Sequence, residues 1–164
     1  MNEAYVECLV KQKTPVIWKL LRGLLIALTV IFVLGGLVYA VIFIPALITG
    51  VGAYFLNLRT NLEYEYVYCD KEVTVDKIMA KTKRKRVAVY EVSKMEIFAP
   101  VKSYHLDNYK NRQVKTLDFS IGEELQPDKR YACYYEGGQK LLFSPSEEMV
   151  KAMRMVAPRK VFTD

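Results

Sequence analysis

Between Gly23 and Leu58 the chain has no Asp, Glu, Lys, Arg or His, a run of thirty-six positions without a formal charge. Such a run excludes an ordinary solvated surface. It also exceeds one membrane crossing, because thirty-six residues of helix would extend about 54 Å against a hydrocarbon core of about 30 Å. Divided in two, the run supplies a pair of short apolar helices, and the expected architecture is a helical hairpin in a membrane. Short of Asn57 at its end, Thr29, Tyr39, Thr49 and Tyr54 are its only polar side chains of note. With nothing ionisable inside, a proton or ion path within one subunit has no residues to use.

Other shortages narrow the chemistry. The three cysteines, Cys8, Cys69 and Cys133, are odd in number and far apart, with no CxxC pair. That spacing gives neither a disulfide framework nor a zinc site, and it suits a reducing compartment. Cys69 and Cys133 fall in strand-like runs and are expected to be small buried hydrophobes. His105, the single histidine, lacks a second ligand at metal spacing and reads as a surface residue. GxSxG and phosphate-binding glycine loops are missing, since Gly122, Gly137 and Gly138 fall in turns. Carboxylate pairs such as Glu123-Glu124 and Glu147-Glu148 have turn or cap explanations. The expectation is a non-catalytic protein with no cofactor and no metal.

What is present divides the chain at about Leu58. Residues 1–14 mix charge and apolar groups. Wound as a helix they gather Tyr5, Val6, Leu9 and Val10 on one side, a weak amphipathic pattern suited to a membrane surface, with a frayed terminus as the alternative. Residues 15–58 form the expected hairpin. Thr14-Pro15 can start the first helix, which runs to about Leu34. Trp18, Lys19 and Arg22 near its start and Arg59 after the second helix are expected at the membrane interface. Gly35-Gly36 is the preferred turn, with Ile44-Pro45 the other placement. The second helix spans about Val38 to Leu58, and Gly50 and Gly52 offer a small-residue face for close packing against the first. A cleaved leader is not expected, because the apolar run continues well past Val38-Tyr39-Ala40. Positive charge flanks both ends of the hairpin and none lies inside. Both termini are therefore expected on the cytoplasmic side of the plasma membrane, as a multi-pass protein.

From residue 59 to residue 164 the pattern is strand-like and rich in tyrosine. Tyr64, Tyr66 and Tyr68 alternate with Glu65 and Val67, which puts three rings on one face. Asp70-Lys71 marks a tight turn. Val73–Met79, Arg86–Val92, Met95–Ala99, Thr116–Ile121, Arg130–Glu136 and Lys140–Phe143 are expected as further strands, with 101–115 an irregular loop. Ser144-Pro145-Ser146-Glu147 reads as a capping box with Ser144 at the cap, opening a helix over 145–157 that Pro158 ends.

The basic charge is local. From Asn57 to Asp164 there are 20 Lys and Arg against 16 Asp and Glu, a net +4. Residues 81–86 alone contribute +5 through Lys81, Lys83, Arg84, Lys85 and Arg86. So narrow a patch argues against nucleic acid, which needs a broad basic face. A loop carrying it beside a membrane anchor would be drawn to anionic headgroups at about 1 kcal/mol per charge.

The order of a membrane hairpin, about seven strands and a C-terminal helix resembles bacterial membrane-anchored pleckstrin-homology-like proteins. The resemblance rests on Tyr64-Glu65-Tyr66, Val73-Thr74-Val75, the run Arg86-Val87-Ala88-Val89-Tyr90-Glu91-Val92-Ser93-Lys94-Met95, and Phe143-Ser144-Pro145-Ser146-Glu147-Glu148-Met149. The tail Met155-Val156-Ala157-Pro158-Arg159-Lys160-Val161-Phe162 is similar to that of a family of small Gram-positive membrane proteins of unknown function. What the resemblance implies is a bent seven-stranded barrel plugged at one end by the last helix. In lipid-binding pleckstrin-homology domains the basic loop joins strands one and two. Here that link is Asp70-Lys71 and the basic run falls between strands two and three, so phosphoinositide binding is not implied. The function expected is a membrane-anchored binding or scaffolding module, recognising lipid headgroups, a protein partner or a second copy of itself. The alternatives are an accessory subunit acting through its hairpin and, less favoured, a membrane-bound enzyme.

Overall fold

The computed structural model describes residues 4–122 and 127–164. The chain runs β1 (Val6–Lys11), α1 (Val16–Gly36), α2 (Phe43–Thr60), β2 (Leu62–Cys69), β3 (Glu72–Met79), β4 (Lys83–Glu91), β5 (Met95–Pro100), β6 (Lys115–Asp118), β7 (Tyr131–Tyr135), β8 (Gln139–Phe143) and α3 (Glu147–Val156). Two compact units result. One holds Met1–Lys13, Glu63–Ile78 and Arg84–Asp164; the other holds Thr14–Leu62 and Met79–Lys83. The Glu123-Glu124 pair lies outside the described residues.

The first unit is built from two four-stranded sheets, in the orders β1-β2-β3-β4 and β5-β7-β8-β6. Tyr64, Tyr66 and Tyr68 are all buried, as their alternation requires, and Val73 and Val75 of β3 are buried with them. Phe98, Leu141, Phe143, Met149, Met153 and Val161 complete the core from the second sheet and the C-terminal segment. Tyr66 ties the sheets together: its hydroxyl donates to the Phe119 carbonyl and accepts the Ser144 N–H at 3.4 Å. Burial of this phenol and of the Cys133 thiol raises both pKa values.

Several expectations change here. Residues 6–11 are not a surface helix but an eighth strand, antiparallel to β2 with Val6 opposite Tyr68, Cys8 opposite Tyr66 and Val10 opposite Tyr64. Val-Glu-Cys-Leu-Val-Lys has period two as well as a helical face. The hydrogen-bonding edge of β2 decides between them, because an open edge above buried tyrosines leaves backbone groups without partners. The helix cap is Ser146, whose Oγ accepts the Met149 N–H at 3.3 Å, and α3 begins at Glu147 rather than 145. Ser144 instead accepts the Ile121 N–H at 3.2 Å. The stretch after Pro100 is less irregular than its composition suggests. Leu106, on a short 3-10 turn, is buried against Ile97, Ala99, Ala132 and Tyr134.

The second unit is the hairpin plus the β3–β4 turn. The stretches Val16–Gly36 and Ala40–Thr60 are each long and apolar enough to cross a membrane. They pair in antiparallel register from foot to tip. Arg22 Nη1 donates to Asn57 Oδ1 at 3.0 Å, Thr29 Oγ1 to Thr49 Oγ1 at 3.0 Å, and Gly36 meets the Phe43 ring. The chain reverses just beyond the glycines, at Leu37–Tyr39, where the N–H groups of all three residues bond back to Leu34 and Gly35. Pro45 falls in the first turn of α2, where the backbone N–H it lacks has no helical partner to lose.

Candidate functional site

The six-residue basic run is expected as a loop, but only its start is one. Ala80 and Lys81 take left-handed φ of 50° and 57°, and the Thr82 N–H closes the turn on the Met79 carbonyl at 3.1 Å. Lys83–Arg86 are already strand, because the alternating Val87–Tyr90 that follows carries the extended backbone back to the turn. At its N-terminal side the turn is fastened to the foot of α2: the Ala80 N–H donates to the Asn61 carbonyl at 2.7 Å. The Lys83 ammonium lies 5.7 Å from the centroid of the Tyr54 ring on α2.

The five cations of the run are not equivalent. Arg84 Nε reaches Asp76 Oδ2 at 2.9 Å and its Nη2 contacts Glu65, while Arg86 Nε lies 3.5 Å from Asp76 Oδ1. Two guanidinium groups are thus balanced by two carboxylates on β2 and β3, a cross-strand arrangement the sequence hides because the acids lie 8 to 19 residues away. Lys81, Lys83 and Lys85 are exposed and have no carboxylate within ion-pair distance among the described residues. The effective charge of the patch is therefore carried by lysines, which act as point charges rather than as bidentate forks.

The other interface candidates gather at the same end of the hairpin. Trp18 and Lys19 are exposed on the first turn of α1, and Arg59 is exposed on the last turn of α2. Arg22 is half-buried, and its Nη1 also lies 3.5 Å from Thr60 Oγ1. Thr14 Oγ1 donates to the Thr60 carbonyl at 3.2 Å and Asn61 Nδ2 to Asn57 Oδ1 at 2.7 Å, which closes the foot. The hairpin unit contains Lys19, Arg22, Arg59, Lys81 and Lys83 and no Asp or Glu at all. Further towards the tip, a Cβ on Gly50 would lie 3.5 Å from Thr29 and one on Gly52 3.5 Å from Leu25, so both glycines face α1.

Elsewhere the chemistry is sparse. Among the described residues no group of three or more His, Cys, Asp or Glu could hold a metal ion. His105 is not a plain surface residue: it stacks on Phe162 with ring centroids 3.8 Å apart and lies tilted against Tyr104 at 4.0 Å, with Nε2 3.7 Å from Asp164 Oδ1. Cys69 is half-buried rather than buried. A cleft of about 710 Å³ in the sheet unit lies between Asp70–Glu72, Glu91–Ser93 and Val156–Lys160. Its Ser93 hydroxyl donates to Glu91 at 3.3 Å and Lys160 Nζ to the Ser93 carbonyl at 2.7 Å. Both groups are engaged within the protein.

Two sheets of strands followed by a C-terminal helix define a PH-like domain. The chain belongs to the family described as bacterial PH-like domain (DUF6106), whose family model matches residues 2–163. No curated protein and no solved structure matches the chain.

Proposed function

We propose that the protein is a non-catalytic, membrane-anchored binding module. The α1–α2 hairpin embeds in the plasma membrane with both of its ends on the cytoplasmic side. The β3–β4 turn meets anionic headgroups through Lys81 and Lys83, with Lys85 following on β4. The observation that carries the reading is the 2.7 Å bond from Ala80 to Asn61, which holds Lys81 and Lys83 at the foot of the apolar hairpin in a unit without a single carboxylate. A hairpin in the bilayer would therefore bring the turn to the headgroups. Each lysine near such a surface gains about 1 kcal/mol, falling with salt over a Debye length.

The one tryptophan, Trp18, sits on the first turn of α1 and supplies the test. In vesicles of the full chain, its fluorescence is quenched by brominated phosphatidylglycerol or brominated phosphatidylcholine. Preferential quenching by the anionic lipid is expected, and the preference should fade in high salt and drop in a Lys81→Gln/Lys83→Gln/Lys85→Gln variant. An unchanged ratio in that variant overturns the headgroup reading and turns the search to a protein partner or a second copy bound by the sheet unit. A role as an accessory subunit acting through the hairpin would instead leave the triple variant functional.

A further inference from the structure

The hairpin carries a feature that a surface charge effect does not use. Arg22 stands at the border of the uncharged stretch and is held by neutral groups only, Asn57 through Nη1 at 3.0 Å and Thr60 at 3.5 Å. Its Nε–H is buried and meets no acceptor among the described residues. A guanidinium that is never neutral and has no anion in its own unit is costly there, and the geometry that best relieves it is a planar, doubly accepting anion. The fourteen uncharged residues Gly23–Gly36 extend about 21 Å beyond Arg22, so in a hairpin that crosses a core of about 30 Å the long Arg22 side chain has to reach back from the edge of the hydrocarbon to the headgroups at the foot.

An apolar groove continues from the same seam. It has a volume of about 610 Å³ and is lined by Val33 of α1 and by Phe43, Ala46, Gly50 and Tyr54 of α2. Helical spacing aligns Gly50 and Tyr54 with Asn57 on α2, and Val33 and Thr29 with Arg22 on α1. Cationic foot and apolar groove thus succeed one another along one line, matching the phosphate and acyl chain of a single amphiphile.

We propose that the hairpin holds one phospholipid, with the Arg22 guanidinium on its phosphodiester and one acyl chain in the groove between Val33 and Gly50–Tyr54. This rests on the membrane-embedded reading of the hairpin but not on the lysine contact, and different residues carry it. Asn57 is a positioning residue that orients the guanidinium.

The test uses the full chain purified in dodecyl maltoside, which contains no phosphate, and follows its thermal unfolding. Phosphatidylglycerol at saturating mole fraction should raise the midpoint by roughly 3–8 °C, the range expected when a ligand binds the folded form of a chain this size. Diacylglycerol and millimolar inorganic phosphate should each fail to do so. Arg22→Gln should lose the rise, and the triple lysine variant should keep it. Asn57→Asp supplies a carboxylate where Nη1 now meets an amide oxygen. It should unfold at a higher temperature without lipid and gain nothing from phosphatidylglycerol. The proposal is overturned if Arg22→Gln or Asn57→Asp still shows the full rise, or if inorganic phosphate or diacylglycerol alone reproduces it. A rise that the triple lysine variant loses would also overturn it, while leaving the headgroup reading of the β3–β4 turn intact.

Discussion

Removing one buried hydroxyl should measurably loosen the PH-like unit. Tyr66 is fully buried, and its oxygen serves two backbone groups, the Phe119 carbonyl and the Ser144 N–H. Tyr66→Phe keeps the ring, including its edge-to-face contact with Phe143 at 5.3 Å between centroids, so the change isolates the hydrogen bonds. Leaving a buried acceptor unsatisfied costs about 1–3 kcal/mol, and the longer bond to Ser144 adds little, so a loss of about 2 kcal/mol is expected. For a chain of this size that is roughly 4–8 °C in midpoint. The assay is unfolding of the full chain followed by tyrosine absorbance or far-ultraviolet dichroism; Trp18 reports on the hairpin instead. Alkali provides an independent check. Burial holds the folded-state pKa of Tyr66 above its ordinary value of 10.0, so the folded form keeps a proton that the unfolded form gives up. The stability tied to that proton is complete below pH 10 and is lost as pH rises towards the folded value, at about 1.4 kcal/mol per pH unit. The gap between wild type and Tyr66→Phe should therefore narrow above pH 10. A variant as stable as wild type at pH 7, or a gap constant from pH 9 to 11.5, would refute the reasoning.

Further outcomes follow from other contacts. Val10→Asp puts a carboxylate opposite Tyr64 at a buried position of β1 and should cost about 2–4 kcal/mol, read as a lower unfolding midpoint and as proteolysis within residues 4–13. Asp76→Asn releases Arg84 and Arg86 from their shared carboxylate. Because both arginines are more than half exposed, the stability loss should stay near 1 kcal/mol, while the anionic-lipid preference measured at Trp18 should rise. Gly36→Ala brings a Cβ to 2.8 Å from the Phe43 ring, whereas one on Gly35 meets only Ile42 methyl carbons at 3.5 Å. Gly36→Ala should lower the hairpin's resistance to thermal aggregation in detergent, and Gly35→Ala should leave it unchanged.

Parts of this architecture could be read without coordinates because their signals are local. Thirty-six uncharged residues cannot be solvated, a period of two fixes which tyrosines share a face, and paired glycines mark the place near which the chain reverses. Other parts depend on a partner distant in sequence. Val6–Lys11 can wind as a helix or extend as a strand, and only the open edge of β2, more than fifty residues later, selects the strand. The five basic residues of 81–86 look uniform. Glu65 and Asp76, set beside Arg84 and Arg86 by the sheet, divide them into two balanced arginines and three lysines without a carboxylate partner. The single histidine looks exposed until Phe162 returns to cover it. What the sequence alone determined was composition-driven: an apolar hairpin, alternating strands, a basic run at a turn. What only tertiary structure decided was neighbourhood, because charge balance, burial and edge pairing are properties of residues that meet in space and not of residues adjacent in the chain.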